Sequence, residues 1–237
     1  CWHWCPASRY DKSKSDPWGT FYTDKTKFNL ARALNGSDPD GYQMLLDDID
    51  AIAVQLKRLQ DADVPVLWRP LHEASGGWVW WGASGADAYL QLYKLMYDRL
   101  TNVHGLNNLI WVWNGQDAAW YPGDEYVDII GEDIYPGEHV YTSQAARFIK
   151  ALNYTDTRKL ITLSENGCIP DPEQLVRDNI MWSYWCVWEG EFVLKAAGFN
   201  NYGERYTEKD MLKKAYKSDA VITRKELPDL RNYPLGD

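Results

Sequence analysis

The sequence predicts an α/β protein of the (β/α)8 TIM-barrel class, and three observations lead there. Short runs rich in β-branched and aromatic residues alternate along the chain with amphipathic helical stretches. The runs are almost continuously apolar, as expected of parallel strands covered by helices on both faces. Most of the runs end in polar or charged residues just where the next loop starts, and in a barrel those ends share the face that carries the chemistry. A doubly wound open sheet would also bind ligands at its carboxyl ends, but no Gly-rich βα turn follows any run here.

Taken in order, the first run is CWHWC at residues 1–5, which carries His3. Residues 40–61 set Met44, Leu45, Ile49, Ile52, Ala53, Leu56 and Leu59 at helical spacing over several turns. VPVLWRP at 64–70 is the next strand and leads into His72 and Glu73. Residues 86–103 form a second helix, with Leu90, Tyr93, Leu95 and Tyr97 apolar and the charges on a solvated face. Four more strands follow: 108–114, ending at Asn114; 126–136, with Asp133 and Tyr135; 159–167, with Glu165 and Asn166; and 181–190, with Trp188 and Glu189. Six runs fall short of the eight that a barrel closes on, and a complete barrel at about 40 residues per unit needs roughly 300 residues. The chain is therefore expected to hold strands three to eight, in one catalytic domain over residues 1–237 that is incomplete at its N-terminus. The missing N-terminal segment would then be a partner, because an open arc exposes sheet edges.

Composition bounds the function. The chain has 13 Trp and 16 Tyr against 5 Phe. Packing alone does not favour aromatics with a polar handle, whereas sugar-binding clefts do: a flat ring covers a pyranose face while N–H and O–H groups meet hydroxyls. Some of the 13 Trp must nonetheless be core. A net charge of −9 argues against nucleic acid as a partner. No run of about 18 apolar residues is present, so no membrane span is expected. The sequence opens at Cys1 without Met or a signal peptide, as a processed, trimmed or incomplete chain would. Cys1, Cys5, Cys168 and Cys186 show no CxxC spacing, so no zinc site is expected, and buried thiols are favoured over disulfides.

Glu73 and Glu165 each follow a predicted strand. Glycoside hydrolysis needs two carboxyls flanking the scissile bond; at about 5–5.5 Å one is a nucleophile and configuration is retained. Their protonation states must differ, which apolar surroundings achieve for an acid and hydrogen-bond donors or cations achieve for a nucleophile. The Trp-rich stretch after Glu73 suits the first, and Asn166 and Arg69 suit the second. A strand-end Glu beside an Arg is ordinarily only an ion pair. Two rival chemistries are missing, however. His72–Glu73 has Gly76 where the zinc motif HExxH needs its second His, and neither Ser75 nor Ser84 stands in a GxSxG elbow.

WRPLHEASGGWVWWG, residues 68–82, resembles the acid/base segment at the end of the fourth strand in glycoside hydrolase family 26, best known for endo-β-1,4-mannanases. LSENG, residues 163–167, is similar to that family's nucleophile segment at the end of the seventh strand. The likeness runs through the whole chain in order; its departure is the absence of the first two strands. It implies Glu73 as general acid/base and Glu165 as nucleophile of a retaining enzyme. It implies His3, Arg69, His72, Trp78, Asp133, Tyr135 and Trp188 as substrate-binding or bracing residues. Trp185 is the alternative to Trp188, and Trp81, Trp113 and Trp120 could be further platforms or core, with Trp81 counted among the substrate-binding residues. The implied partner is mannan, glucomannan or galactomannan, with no cofactor and no metal, and the implied location is secreted or cell-surface. Within the family a β-1,3-1,4-glucanase or β-1,3-xylanase is the alternative; outside catalysis, the alternative is a carbohydrate-binding barrel without activity.

Overall fold

The structure is a computed structural model that describes residues 1–13, 16–195, 201–230 and 232–233. Five strands make one sheet in chain order: β1 (Val66–Trp68), β2 (Leu109–Trp113), β3 (Ile129–Ile134), β4 (Leu160–Asn166) and β5 (Trp185–Val187). Helices lie between them in sequence: α1 (Leu30–Leu34) and α2 (Pro39–Gln60) before β1, α3 (Ala86–Asp98) after it, then α4 (Ala145–Leu152), α5 (Pro172–Asp178) and α6 (Lys209–Lys217). This is the parallel, helix-alternating class predicted from the sequence. The chain divides into two compact units, residues 1–133 with 150–162, and residues 134–149 with 163–237.

In the first unit β1 pairs with β2 (Val66 opposite Leu109, Trp68 opposite Trp111), and β2 pairs with β3 (Val112 opposite Ile129), all parallel. The six residues of β3 are all buried, as a strand covered on both faces requires. β1 departs from that expectation, because Leu67 is 47% exposed. α2 begins where Asp38 accepts a hydrogen bond from Gly41 N at 3.0 Å and Pro39 supplies a preset φ. It buries Met44, Leu45, Ile49, Ala53 and Leu56, most of the stripe read from the sequence. α3 is shorter than predicted: residues 99–103 form a π-helical turn, from which Arg99 grips Asp50 of α2 at 2.5 and 2.6 Å.

The largest departure is at the N-terminus. Residues 1–5 form no strand, so the described residues hold five strands, not six. Their partners are side chains instead of a neighbouring ladder. Trp4 Nε1 donates to Asp48 at 2.7 Å, Trp80 Nε1 donates to the Trp4 carbonyl at 2.6 Å, and Ala7 N points at the Met44 sulfur at 3.1 Å.

In the second unit β5 pairs parallel with the end of β4. Leu163 stands opposite Trp185 and Asn166 opposite Val187, so β4 carries one extra residue between the two pairs. α5 is capped by Asp171, which accepts from Glu173 N, and closes on Asn179 in left-handed backbone. All four cysteines are thiols, but only Cys168 is buried, so the expectation of buried thiols fails for Cys1 and Cys186, which are exposed, and for Cys5, which is half-buried.

Candidate active site

The segment after β1 is built around two non-glycine residues in left-handed backbone, Leu71 and Glu73, both at φ 53°. Such conformations cost of order 1 kcal/mol or more and persist only where neighbours enforce them. Here Glu73 N donates to the Asn114 carbonyl at 2.8 Å, and Trp81 Nε1 donates to the His72 carbonyl at 2.8 Å. The chain then turns through residues 74–77, and the glycines of GGWVWWG each have a steric reason. A Cβ on Gly76 would lie 1.8 Å from the Trp78 ring, and one on Gly82 would lie 2.0 Å from the Ala74 carbonyl oxygen. Gly77 sits at φ 75°. The loop is pinned from outside by Thr23 N to Trp78 O at 2.8 Å and Trp80 N to Phe21 O at 3.0 Å.

These constraints deliver Trp78, 47% exposed, alongside the Glu73 carboxylate, to which its indole N–H donates at 3.1 Å. Glu73 itself is half-buried. Below it Arg69 is buried, and its Nη1 donates to Asn114 Oδ1 at 2.8 Å and Asp133 Oδ2 at 3.0 Å. Asn114 is anchored in turn by donating to the Gly131 carbonyl at 3.0 Å. Arg69 therefore braces strand ends, with both charges paired. Asn114, a strand-end polar residue in the sequence, was not among the expected site residues; nothing but its position at the end of β2 signals it.

His72 is buried against Trp81 at 5.5 Å and His3 at 5.3 Å between ring centroids. Burial first, then the charges of Arg69 and His3, pushes its pKa down to about 2, so the imidazole is neutral. His3 is exposed and stacks on Phe21 at 4.7 Å. Trp81 differs from expectation: with none of its surface exposed and its indole N–H spent on the His72 carbonyl, it supports His72 and offers no face to a ligand. Trp113 is core for the same reason, fully buried with its N–H on the Trp120 carbonyl at 3.2 Å. Trp120 is half-buried and edge-on to Tyr89.

In the second unit Glu165 lies within the stretch of β4 that carries the extra residue, a device that re-aims side chains beside functional sites. Glu165 is buried and accepts a hydrogen bond from the Tyr135 hydroxyl at 2.7 Å. Tyr135 is 42% exposed, lies 5.2 Å from the ring of Phe192, and approaches the place a Gly167 Cβ would occupy, at 3.3 Å. Phe192 is a neighbour the sequence reading missed, although it stands in WEGEF beside Trp188. Trp188 N donates to the Asn166 carbonyl at 3.0 Å, so Trp188 follows β5 at the end next to Glu165. Trp185 instead lines an apolar pocket with Ile169, Val187 and Phe192.

The Glu165 carboxylate is thus oriented by the phenol that donates to it, and the half-buried Glu73 carboxylate is oriented in the same way by the Trp78 indole.

A sequence profile described as Glycosyl hydrolase family 26 matches residues 1–226. The chain is 46% identical over 227 residues to the mannan endo-1,4-beta-mannosidase of Thermothelomyces thermophilus, an alignment covering 95% of this chain and 45% of that protein. It is 37% identical to mannan endo-1,4-beta-mannosidase A of Piromyces sp., covering 96% of this chain and 34% of that one. Among solved structures, the Podospora anserina GH26-CBM35 beta-(1,4)-mannanase superposes with a TM-score of 0.84 at 39% identity, over 95% of this chain and 49% of that chain. The beta-mannanase from a symbiotic protist of the termite Reticulitermes speratus, complexed with gluco-manno-oligosaccharide, superposes at 0.82 and 36% identity, over 96% of this chain and 67% of that chain. The chain thus spans about half the length, or less, of the curated relatives it matches.

Proposed function

The chain belongs to glycosyl hydrolase family 26, and from that premise we propose that it hydrolyses internal β-1,4-mannosidic bonds in mannan-type polysaccharides with retention of configuration. Glu165 attacks the anomeric carbon while Glu73 protonates the departing glycosidic oxygen, giving a covalent glycosyl-enzyme and a free sugar hydroxyl. Glu73, now a carboxylate, takes a proton from water as that water displaces Glu165 from the anomeric carbon. Tyr135 holds one oxygen of Glu165, Trp78 offers its exposed face to a sugar, and His3, His72, Asp133, Arg69 and Trp188 position substrate or the two glutamates.

The observation that carries this reading is the indole of Trp78: one side chain both touches the carboxylate of Glu73 and keeps nearly half of its surface open. Further support comes from the relatives, which are named as mannan endo-1,4-beta-mannosidases, and from one neighbour's complex with gluco-manno-oligosaccharide. Since such a polymer lies outside cells, the proposed location is secreted or cell-surface; no described helix is long and apolar enough to cross a membrane.

Reducing-sugar release from galactomannan, compared with lichenan and β-1,3-xylan, tests the substrate class. Glu73→Ala and Glu165→Ala should each lower turnover on mannan by several orders of magnitude. On an aryl β-mannoside with a good leaving group, Glu73→Ala should keep its first step and be rescued by azide, because such a leaving group needs no acid. Preference for lichenan or xylan would replace mannan with the alternative polymers, and tight binding without turnover by the wild type would make the protein a carbohydrate-binding barrel.

A further inference from the structure

The N-terminal segment and the loop after β1 bring together a side-chain set that their sequence spacing conceals. Donor atoms of Cys1, His3 and His72 all lie within 4.8 Å of one another, and Cys1 Sγ stands 3.4 Å from His72 Nδ1. A tetrahedral zinc ion with Zn–S near 2.3 Å and Zn–N near 2.0 Å holds its sulfur and nitrogen ligands about 3.5 Å apart. The Cys1–His72 pair is therefore already at ligand spacing. The exposed His3 offers a ring nitrogen within 4.8 Å of both.

We propose that Cys1, His3 and His72 form a thiolate and two-imidazole site for one borderline divalent cation of the Zn²⁺ type. The donor set selects the ion: one soft sulfur with two imidazole nitrogens favours Zn²⁺, Co²⁺ or Cu²⁺ over the oxygen-seeking Mg²⁺ and Ca²⁺. Three protein ligands leave a fourth position for water, the pattern of an open site. The surroundings are those of a held ligand set. His72 is buried, its carbonyl is tied to Trp81, and the His3 ring is stacked on Phe21. Binding releases the thiol proton of Cys1 to solvent, so affinity rises with pH. The site is independent of the glycosidase reading. Its consequence, that a bound ion withdraws His3 and His72 from sugar and slows turnover, rests on that reading.

Cobalt(II) titration tests the site without reference to activity. The wild type should take up one equivalent with a thiolate-to-cobalt charge-transfer band and the visible spectrum of a four-coordinate ion. Cys1→Ser should remove the charge-transfer band, and His3→Gln should weaken binding by at least about ten-fold. Cys186→Ser, which alters another exposed thiol, should leave both unchanged. Absence of the band in the wild type, survival of the band in Cys1→Ser, or full affinity in His3→Gln would overturn the proposal, the last by reducing the set to the Cys1–His72 pair. Failure of the wild type to hydrolyse mannan would refute the function proposed above and leave this result standing.

Discussion

Tyr135 donates its phenol hydroxyl at 2.7 Å to the buried carboxylate of Glu165, a candidate catalytic group. Removing the hydroxyl removes the donor that fixes this carboxylate. Tyr135→Phe is therefore expected to lower kcat by about ten- to a hundred-fold, somewhat less than the loss of an oxyanion-hole donor, with KM little changed. Steady-state kinetics of the variant check this; an unchanged kcat would mean that Tyr135 serves packing alone. Glu73 makes a different argument at the same scale. It was recognisable from WRPLHEASGGWVWWG because residue type and place coincide, but its left-handed backbone was not. Nothing in the letters His72–Glu73 distinguishes an extended strand end from one bent twice, since the bends are held by the Asn114 carbonyl after β2 and by the Trp81 indole further along the same loop.

At the scale of elements, the strands were legible because buried parallel strands are written as unbroken apolar runs. The run at residues 1–5 misled for the same reason: its tryptophans are apolar in composition but are used as hydrogen-bond donors and stacking partners, with Trp2 on Trp4 at 4.3 Å. Trp81 and Trp78 illustrate the limit for the site. Both lie in one Trp-rich stretch, yet one is fully buried and the other half-exposed, and only the tertiary packing of residues 20–25 against the loop decides which. The glycines of that loop give a matched pair of tests. Gly82→Ala drives a Cβ into a backbone oxygen that cannot move freely, so a stability loss of about 1–3 kcal/mol is expected. Gly76→Ala meets only the Trp78 ring, which can swing away. It should cost little stability but release the indole from Glu73 and raise KM. Thermal melts beside steady-state kinetics distinguish the two; equal stability losses would contradict this account of the loop. The helices of the first unit offer a pH-dependent test. Asp50 on α2 receives Arg99 at 2.5 Å and His104 at 2.6 Å, and Arg99 chiefly, with His104, holds its carboxyl down at about 2. A carboxyl depressed in the folded state contributes stability above its ordinary value near 3.8, and that contribution disappears as pH falls toward 2. Asp50 is partly exposed, so its worth at neutral pH is discounted to about 1 kcal/mol or less. Asp50→Asn should accordingly melt a few degrees below wild type at pH 6, and the two melting curves should converge as pH drops from 4 to 2. A difference that persists at pH 2 would assign the effect to packing and not to charge.

For the molecule as a whole, the aromatic excess and the net charge of −9 point to the same physical class of ligand. An acidic protein repels polyanions at long range, and a neutral polymer feels no such field. Its binding would rest on ring faces such as Trp78 and on short-range hydrogen bonds from paired groups such as Arg69 and Asp133, which ions in solution screen weakly. Raising salt from about 10 mM, where the screening length is roughly 30 Å, to about 1 M, where it is roughly 3 Å, removes nearly all long-range electrostatics. The KM for galactomannan is expected to change by less than about two-fold over that range, since no net charge is exchanged on binding. An acidic polysaccharide such as a polyuronate should show no competition at low salt. A steep salt dependence of KM, or competition by the polyuronate, would mean that charge and not aromatic surface selects the substrate, and the neutral-mannan reading would have to be abandoned.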